Sequence, residues 1–266
     1  MSVSGERVSV REGGFNPTWQ RHRAAYAACA RLLPEGRTLD LGCGVGHSVD
    51  LLAPRETVGV DRDAAALAGQ ARETHVADMR ALPFGTGSFA GVISVQSIEH
   101  VPDPERVLGE VARVLEPEGA AVFVTPNRLT FARPDEIIDP YHYVEFDAGE
   151  LRDLCLRSFA SVELRGLFGS ERYRAFVSAE HRRLDALLRR DPLRLRRLVP
   201  RPVRQLLYDR MLARARRRSD PAADAIDLDD FELGEGPLEQ ALDLVALCRE
   251  PRRGLGLNAP APARGG

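Results

Sequence analysis

The stretch LDLGCGVGH, residues 39–47, decides the fold. Its first residues complete a short apolar strand read over 37–41 (RTLDL), and Gly42, Gly44 and Gly46 follow at every second position. A helix is expected to begin at His47 and run to Leu52. Glycines in a strand-to-helix turn permit backbone conformations closed to other residues and let a ligand lie against bare main chain. The N-terminus of the next helix adds free N–H groups and a positive dipole, which suit an anionic group. A nicotinamide fingerprint spaces its glycines G-x-G-x-x-G, whereas this turn reads G-x-G-x-G behind an acid, Asp40. A carboxylate there repels a pyrophosphate but accepts a hydrogen bond from an ammonium group.

Outward from this turn, short apolar runs alternate with helical stretches. Strands are read over 57–61, 74–78, 88–95 and 120–126, and helices over 17–33, 64–72 and 104–115. In the last of these helices Val107, Leu108, Val111, Val114 and Leu115 share one face, and EPEG (116–119) stops it. Strand–helix alternation of this kind builds a parallel sheet covered on both sides, an α/β architecture. A helix over 149–159, a strand over 161–168 and a final strand over 241–250 complete the pattern. The domain reading is an N-terminal helical segment (1–34), a core (35–168), an arginine-rich helical insertion with an acidic linker (169–240), the final core strand (241–250) and a disordered Pro/Gly/Ala tail (251–266).

Asp61 closes the second strand nineteen residues after Gly42, placed to accept both hydroxyls of a ribose, with Arg62 beside it. Asp78 closes the third strand, where an adenine amino group is a suitable donor. Acids at strand ends often only cap helices, but three on consecutive strands line one crevice at the carboxyl edge of the sheet.

LDLGCGVG, GVDRD (59–63), ADMRALPF (77–84), SVQSIEHVPDP (94–104) and VLEPEGAAVFVTPN (114–127) together resemble the successive motifs of class I S-adenosylmethionine-dependent methyltransferases. The likeness spans roughly residues 35–168 and implies a Rossmann-like, doubly wound, seven-stranded sheet with a reversed last strand. It implies S-adenosylmethionine as cofactor, with Asp40, Gly42, Gly44 and Gly46 at the methionine end, Asp61 at the ribose, Asp78 and Met79 at the adenine, and Gln96 beside the methionine moiety through its backbone. The family usually carries an acid after Ser-Phe, where this chain has Ala90. A narrower likeness joins residues 125–154, 165–174 and 230–251 to actinobacterial sugar O-methyltransferases of the methylated-polysaccharide type. Those enzymes carry an Asn-Pro-Phe-His-x-Arg-Glu stretch; here Asp139 and Val144 replace its Asn and Arg, while His142 and Glu145 remain.

Transfer of a methyl group to a neutral hydroxyl needs a general base, whereas an amine or thiolate acceptor may need none. His100, just after the fourth strand, is the candidate base, with packing against the following helix as the alternative. Its neighbour Glu99 is expected to point elsewhere, since consecutive residues often diverge. His142 and Glu145, in the loop after the fifth strand, are candidates for the acceptor wall or for the base itself. Asp139, His142 and Glu145 have no diagnostic metal spacing, so no metal is assigned. Trp19 and His22 on the first helix either cover the cofactor or simply pack.

A net charge of −2 gives no general reason to expect a polyanionic partner. Arg182, Arg183, Arg189, Arg190, Arg194, Arg196, Arg197 and Arg216–Arg218 form a basic stretch, but leucines at 184, 187, 188, 193, 195 and 198 make it read as a solvated helical cap. No nucleic-acid partner is expected, because no aromatic platform accompanies the charge. Cys29, Cys43, Cys155 and Cys248 form no C-x-x-C pair, which argues against zinc or a disulfide framework. The polar opening MSVSGERVSVREGG and the lack of a long apolar run lead to a cytoplasmic expectation without a membrane span. The sequence leaves the oligomeric state open. It points to O-methylation of a sugar or small hydroxylated metabolite, with N- or C-methylation of a natural product, or a non-catalytic partner protein using the basic insertion, as alternatives.

Overall fold

The computed structural model describes residues 16–131, 137–189, 191, 199–216 and 220–253. The first half of the chain runs α1 (Asn16–Ala30), β1 (Thr38–Leu41), α2 (Val49–Leu52), β2 (Thr57–Asp61), α3 (Ala64–Leu67), β3 (Glu73–Val76), β4 (Phe89–Val95), α4 (Pro104–Val114) and β5 (Leu115–Pro126). It continues with α5 (Arg128–Phe131), α6 (Ala148–Ser158), β6 (Phe159–Gly169), α7 (Glu171–Leu188), α8 (Arg201–Arg216), α9 (Pro221–Asp224), β7 (Phe231–Gly234) and β8 (Asp243–Pro251). The expected tail beyond residue 253, and Arg190, Arg194, Arg196, Arg197, Arg217 and Arg218 of the basic stretch, lie outside the described residues.

The strands form one sheet in the order β3-β2-β1-β4-β5-β8-β6-β7. β1 to β5 pair in parallel, and β8 runs antiparallel to both β5 and β6. The parallel, doubly wound core and the reversed last strand agree with the sequence reading, but the strand count among the described residues is eight rather than seven. The additional strand, β7, pairs antiparallel to β6 inside what reads as an acidic linker. Tertiary contacts override that composition: Phe231 packs on Tyr173 with ring centroids 4.7 Å apart, and Asp230 accepts from the Ser170 hydroxyl and the Arg172 guanidinium. Among the described residues the acidic segment pairs most closely with Arg172, upstream of the basic stretch, while Arg183 of that stretch lies 3.9 Å from Asp220.

Burial on both faces explains the apolar strands. All seven residues of β4 are buried, as a central parallel strand requires. One face meets α4 and α6 through Val107, Leu108, Val111, Leu151 and Cys155. The other meets α1 through Ala25, Tyr26 and Cys29. Helix ends follow local chemistry: Asp103 accepts the Arg106 N–H ahead of Pro104, and Asp147 with Glu150 forms a reciprocal capping box.

Two expected helices shrink to a single turn each. The helix read over 47–52 is formed only at Val49–Leu52. Ser48, placed to cap it, instead gives its hydroxyl to the Asp40 carboxylate at 2.5 Å. The helix read over 64–72 ends at Leu67, and Gly69 follows with φ +79°. A one-turn helix has little dipole, so a helix terminus contributes less to this turn than the sequence leads one to expect. Strand order reverses at β1, which lies between β2 and β4, and a crevice opens there beyond the strand ends.

Candidate active site

A cleft opens at that reversal. Gly42, Cys43, Gly44 and Val45 form its floor, Asp61 and Arg62 one side, Ala77, Asp78, Met79 and Arg80 another, and Gln96, Ser97, His100, Val101 and Pro102 the far wall. His22 and Tyr26 of α1 and His47 close it from above. Gly42 and Gly44 have φ of +75° and +53°. A Cβ on Gly42 would sit 2.6 Å from that of Ser97, whereas one on Gly44 would meet no protein atom within 4 Å, because that backbone faces the cleft.

Of the three acids, Asp61 and Asp78 line the cleft and Asp40 does not. Asp61 is fixed by two backbone donors, the N–H groups of Gly44 and Asp63, both at 2.9 Å. Asp78 lies just past the end of β3 and accepts from Arg80, whose hydrogen bonds hold its carboxyl below the usual range. Asp40 is fully buried behind the glycine turn, accepting from Tyr26 Oη (2.9 Å), Ser48 Oγ and Arg72 (2.8 Å). Asp40, expected at the ammonium group, thus sits behind the cleft surface, where its oxygens serve three donors that tie α1, β1 and the turn together.

Gln96 lies on the wall with φ +52°, in the left-handed region that a residue with a side chain enters at a cost. It is held there by its N–H, which donates to the Val124 carbonyl at 2.8 Å, and by its amide, which donates to Asp243. Asp243 is fully buried and also takes a bidentate bond from Arg21 of α1.

The roof is aromatic. The His47 ring packs among Trp19, His22 and Tyr26 at centroid distances of 4.9, 5.9 and 5.5 Å, and neither of its nitrogens has a protein partner. Burial lowers His47 from 6.5 to about 4. Burial, with His47, Arg21 and His100 nearby, also pushes His22 well down. The unfolded chain takes up these protons below pH 6.5 while the folded protein refuses them, so stability is complete above that pH and falls toward pH 4. At about 1.4 kcal/mol per pH unit, His47 alone contributes a loss of about 3 kcal/mol over that range. Urea titrations at pH 7 and pH 4.5 check this, with His47→Asn expected to flatten the acid-side slope.

At the far wall, a 3-10 turn over Ile98–His100 follows β4. Three residues per turn set successive side chains about 120° apart, so Glu99 and His100 need not diverge to opposite sides. His100 lines the cleft, and its Nδ1 lies 3.3 Å from the Tyr141 carbonyl. Glu99, set aside in the sequence reading, is fully buried just behind, and burial raises its carboxyl to about 7 against the opposing effect of His142. Its Oε2 accepts from Thr125 Oγ1 at 3.0 Å, and Oε1 has no partner. His142 lies behind His100 rather than on the cleft surface, its ring 4.9 Å from that of His100 and its Nδ1 2.9 Å from Glu145 Oε1. Burial disfavours the charged His142 ring, but the Glu145 bond and the Glu99 and Asp139 carboxylates outweigh it and raise its pKa. Glu99, His100 and His142 each offer a ligand atom, all within 4.8 Å of one another, so the set able to hold a metal differs from Asp139, His142 and Glu145.

Helix α8 braces this wall. Tyr208 donates to Asp139 at 2.9 Å, Tyr141 donates to Asp209 at 2.7 Å, and Arg201 bonds the Pro140 and Tyr141 carbonyls while covering the Tyr143 ring at 3.6 Å. This end of the insertion is a structural support of the site, more than the solvated cap expected of it. No helix of the described residues is long and apolar enough to cross a membrane.

Bare glycine backbone facing the cleft, a fixed carboxylate on β2 and apolar walls at Ala77, Met79 and Val101 fit a nucleoside carrying an amino-acid tail. A family model described as a methyltransferase domain matches residues 39–123. A probable S-adenosylmethionine-dependent methyltransferase of Mycolicibacterium smegmatis is 31% identical over 262 residues, covering 94% of this chain and 96% of that protein. A probable S-adenosylmethionine-dependent methyltransferase of Mycobacterium tuberculosis is 35% identical over 183 residues, 65% of this chain and 67% of its own length. A crystal structure from Thermotoga maritima, described as an S-adenosylmethionine-dependent methyltransferase and possible histamine N-methyltransferase, shares the fold with a TM-score of 0.56 at 18% identity, covering 86% of this chain and 91% of that one. Its glycine turn, its cleft and a relative that spans nearly the whole chain agree, and the protein belongs to the class I S-adenosylmethionine-dependent methyltransferases, enzymes that use S-adenosylmethionine as cofactor.

Proposed function

We propose that this enzyme O-methylates a sugar or another small hydroxylated metabolite. The observation that carries the reading is the polar wall of His100, His142 and Glu145, with Glu99 behind it, at one end of the cofactor cleft. An amine acceptor that arrives unprotonated brings its own nucleophilic lone pair, whereas a neutral hydroxyl must lose a proton. When bound, S-adenosylmethionine supplies an electrophilic methyl group on a sulfonium. The acceptor oxygen forms the new C–O bond as the S–C bond breaks and its electron pair stays on sulfur. The hydroxyl proton leaves at the wall, where His100 faces the cleft and His142 stands behind it on Glu145. The cleft's other task is to align oxygen, methyl and sulfur and keep water away.

On this reading Gly42, Gly44 and Gly46 shape the turn that receives the methionine end, Asp61 and Arg62 face the ribose, and Asp78 with Met79 the adenine. Gln96 presents backbone toward the methionine moiety, while Asp40 acts through the scaffold. Asp61→Ala is expected to weaken S-adenosylhomocysteine binding about 30- to 100-fold, the loss of a charged acceptor worth roughly 2–3 kcal/mol. Calorimetric titration of wild type and variant reads it.

The functional test is a screen of purified enzyme against mono- and disaccharides, small polyols, phenols, amines and carbon acids, following S-adenosylhomocysteine release and identifying the product by mass spectrometry. A methyl ether product is expected. Turnover confined to amines or carbon acceptors rejects O-methylation in favour of N- or C-methyl transfer.

A further inference from the structure

We propose that Glu99, His100 and His142 bind one divalent first-row transition-metal ion that receives the acceptor's hydroxyl oxygen. The proposal rests on the O-methylation reading and names the cofactor that the same wall would take. Three features of the wall support it beyond residue type.

The first is convergence. The ligand atoms of the three residues lie within 4.8 Å of one another, although His142 is 42 and 43 positions away from the other two in sequence. An ion bound at about 2.0–2.2 Å would draw these atoms closer together, by small side-chain rotations.

The second is orientation from behind. Metal-bound histidines characteristically give their other ring N–H to a carboxylate or a carbonyl. His142 Nδ1 faces Glu145 Oε1 at 2.9 Å, and His100 Nδ1 faces the Tyr141 carbonyl at 3.3 Å. Both contacts place a proton on Nδ1, as the acceptor behind a metal-bound histidine does. Glu99 is anchored through Oε2 by Thr125, and the Glu99 carbonyl accepts the Tyr143 N–H at 2.8 Å, which ties the His142 loop to the turn carrying the other two ligands.

The third is an unmet polar atom. Glu99 Oε1 is fully buried and has no hydrogen-bond partner among the described residues. Buried carboxylate oxygens are nearly always satisfied by a donor or a metal, and this one belongs to the set of three.

Two imidazoles and one carboxylate select zinc, manganese or iron(II) over magnesium or calcium, which prefer oxygen ligands. Three protein ligands leave coordination positions open, and His100 sets them toward the cleft. An ion so placed orients the hydroxyl and lowers its pKa, and the proton then leaves to solvent through the cleft mouth.

The test uses full-length protein stripped with EDTA and dialysed, titrated with Zn²⁺ and with Mn²⁺ by calorimetry, with Mn²⁺ also followed by electron paramagnetic resonance. One ion per chain is expected, with at least a 10-fold weaker Kd in Glu99→Gln and in His142→Gln. Glu145→Gln, which alters only the support of His142, is expected to weaken binding about 10- to 100-fold. Melting temperature and S-adenosylhomocysteine binding show that each variant is folded. Should Glu99→Gln not fold, His142→Gln and the rise in wild-type melting temperature with added ion carry the test. No ion on the wild type, or equal affinity in the folded variants, overturns the metal site. Methylation of a hydroxyl at full rate in EDTA overturns it too, while sustaining O-methylation. An ion bound as expected, with no hydroxyl acceptor turned over, keeps the metal site and removes its acceptor.

Discussion

Asp243→Ala is expected to cost about 3–5 kcal/mol of folding stability, because it strands a largely buried arginine without its counter-charge. Asp243 begins β8, is fully buried, and takes both the Nε (2.7 Å) and the terminal nitrogen (2.5 Å) of Arg21, whose side chain is only 13% exposed. Arg21 also bonds the Leu242 carbonyl, so the pair ties α1 to β8 across more than 200 residues of chain. A loss of that size takes a large share of the 5–15 kcal/mol typical of a domain. It should appear as a fall in melting temperature of about 10 °C or more. The same substitution removes the acceptor that holds the Gln96 side chain, and it loosens the helix that brings His22 and Tyr26 over the cleft. Cofactor affinity is therefore expected to fall with stability. Asp243→Asn keeps the shape but removes the charge, and an intermediate melting temperature is expected. A melting temperature for Asp243→Ala within 2 °C of wild type would show that the pair contributes nothing net.

His100→Ala is expected to lower kcat for a hydroxylated acceptor by about 100- to 10,000-fold, the usual span for losing a group that assists proton removal from the reacting hydroxyl. S-adenosylhomocysteine affinity should stay within about threefold of wild type, because the expected ribose and adenine contacts lie on β2 and past β3, not on the wall. That split separates a role in the reaction from a role in packing, which would lower stability and cofactor binding together. Loss of cofactor binding and rate in equal measure would reduce His100 to a packing residue.

Much of the cofactor half could be read directly from the chain. β1, the glycine turn and Asp61 lie within 24 residues, and each owes its conformation to neighbours in sequence or to the parallel strand beside it. The apolar run 88–95 and the single apolar face of 104–114 likewise announce a central strand and a covering helix. The adjoining helices were harder, because nothing in VDLL or AAAL states that one turn suffices. Ser48, read as part of the helix, precedes it in the structure and gives its hydroxyl to the Asp40 carboxylate that Tyr26 and Arg72 also reach.

The acceptor side shows the opposite balance. Glu99 gave no sign of its importance beside His100, since whether two consecutive side chains diverge depends on a turn geometry that sequence spacing does not report. Asp230 and Phe231 read as part of an acidic linker and turn out to end a turn and start an edge strand, because Ser170, Arg172 and Tyr173 receive them. Arg201, Tyr208 and Asp209 belonged to a stretch remarkable only for charge, yet they grip residues 139–143 from about 60 to 70 positions away.

By itself the sequence determined the α/β class, the glycine turn, the cofactor and two acids of the cleft, since periodicity and turn chemistry act over a few residues and a few bonds. Tertiary structure alone decided that Asp40 is scaffold and not cleft, that β7 joins the sheet, and that Glu99, His100 and His142 converge. Those outcomes depend on which donors, carboxylates and rings the packed chain brings within hydrogen-bonding distance, and no local pattern encodes that.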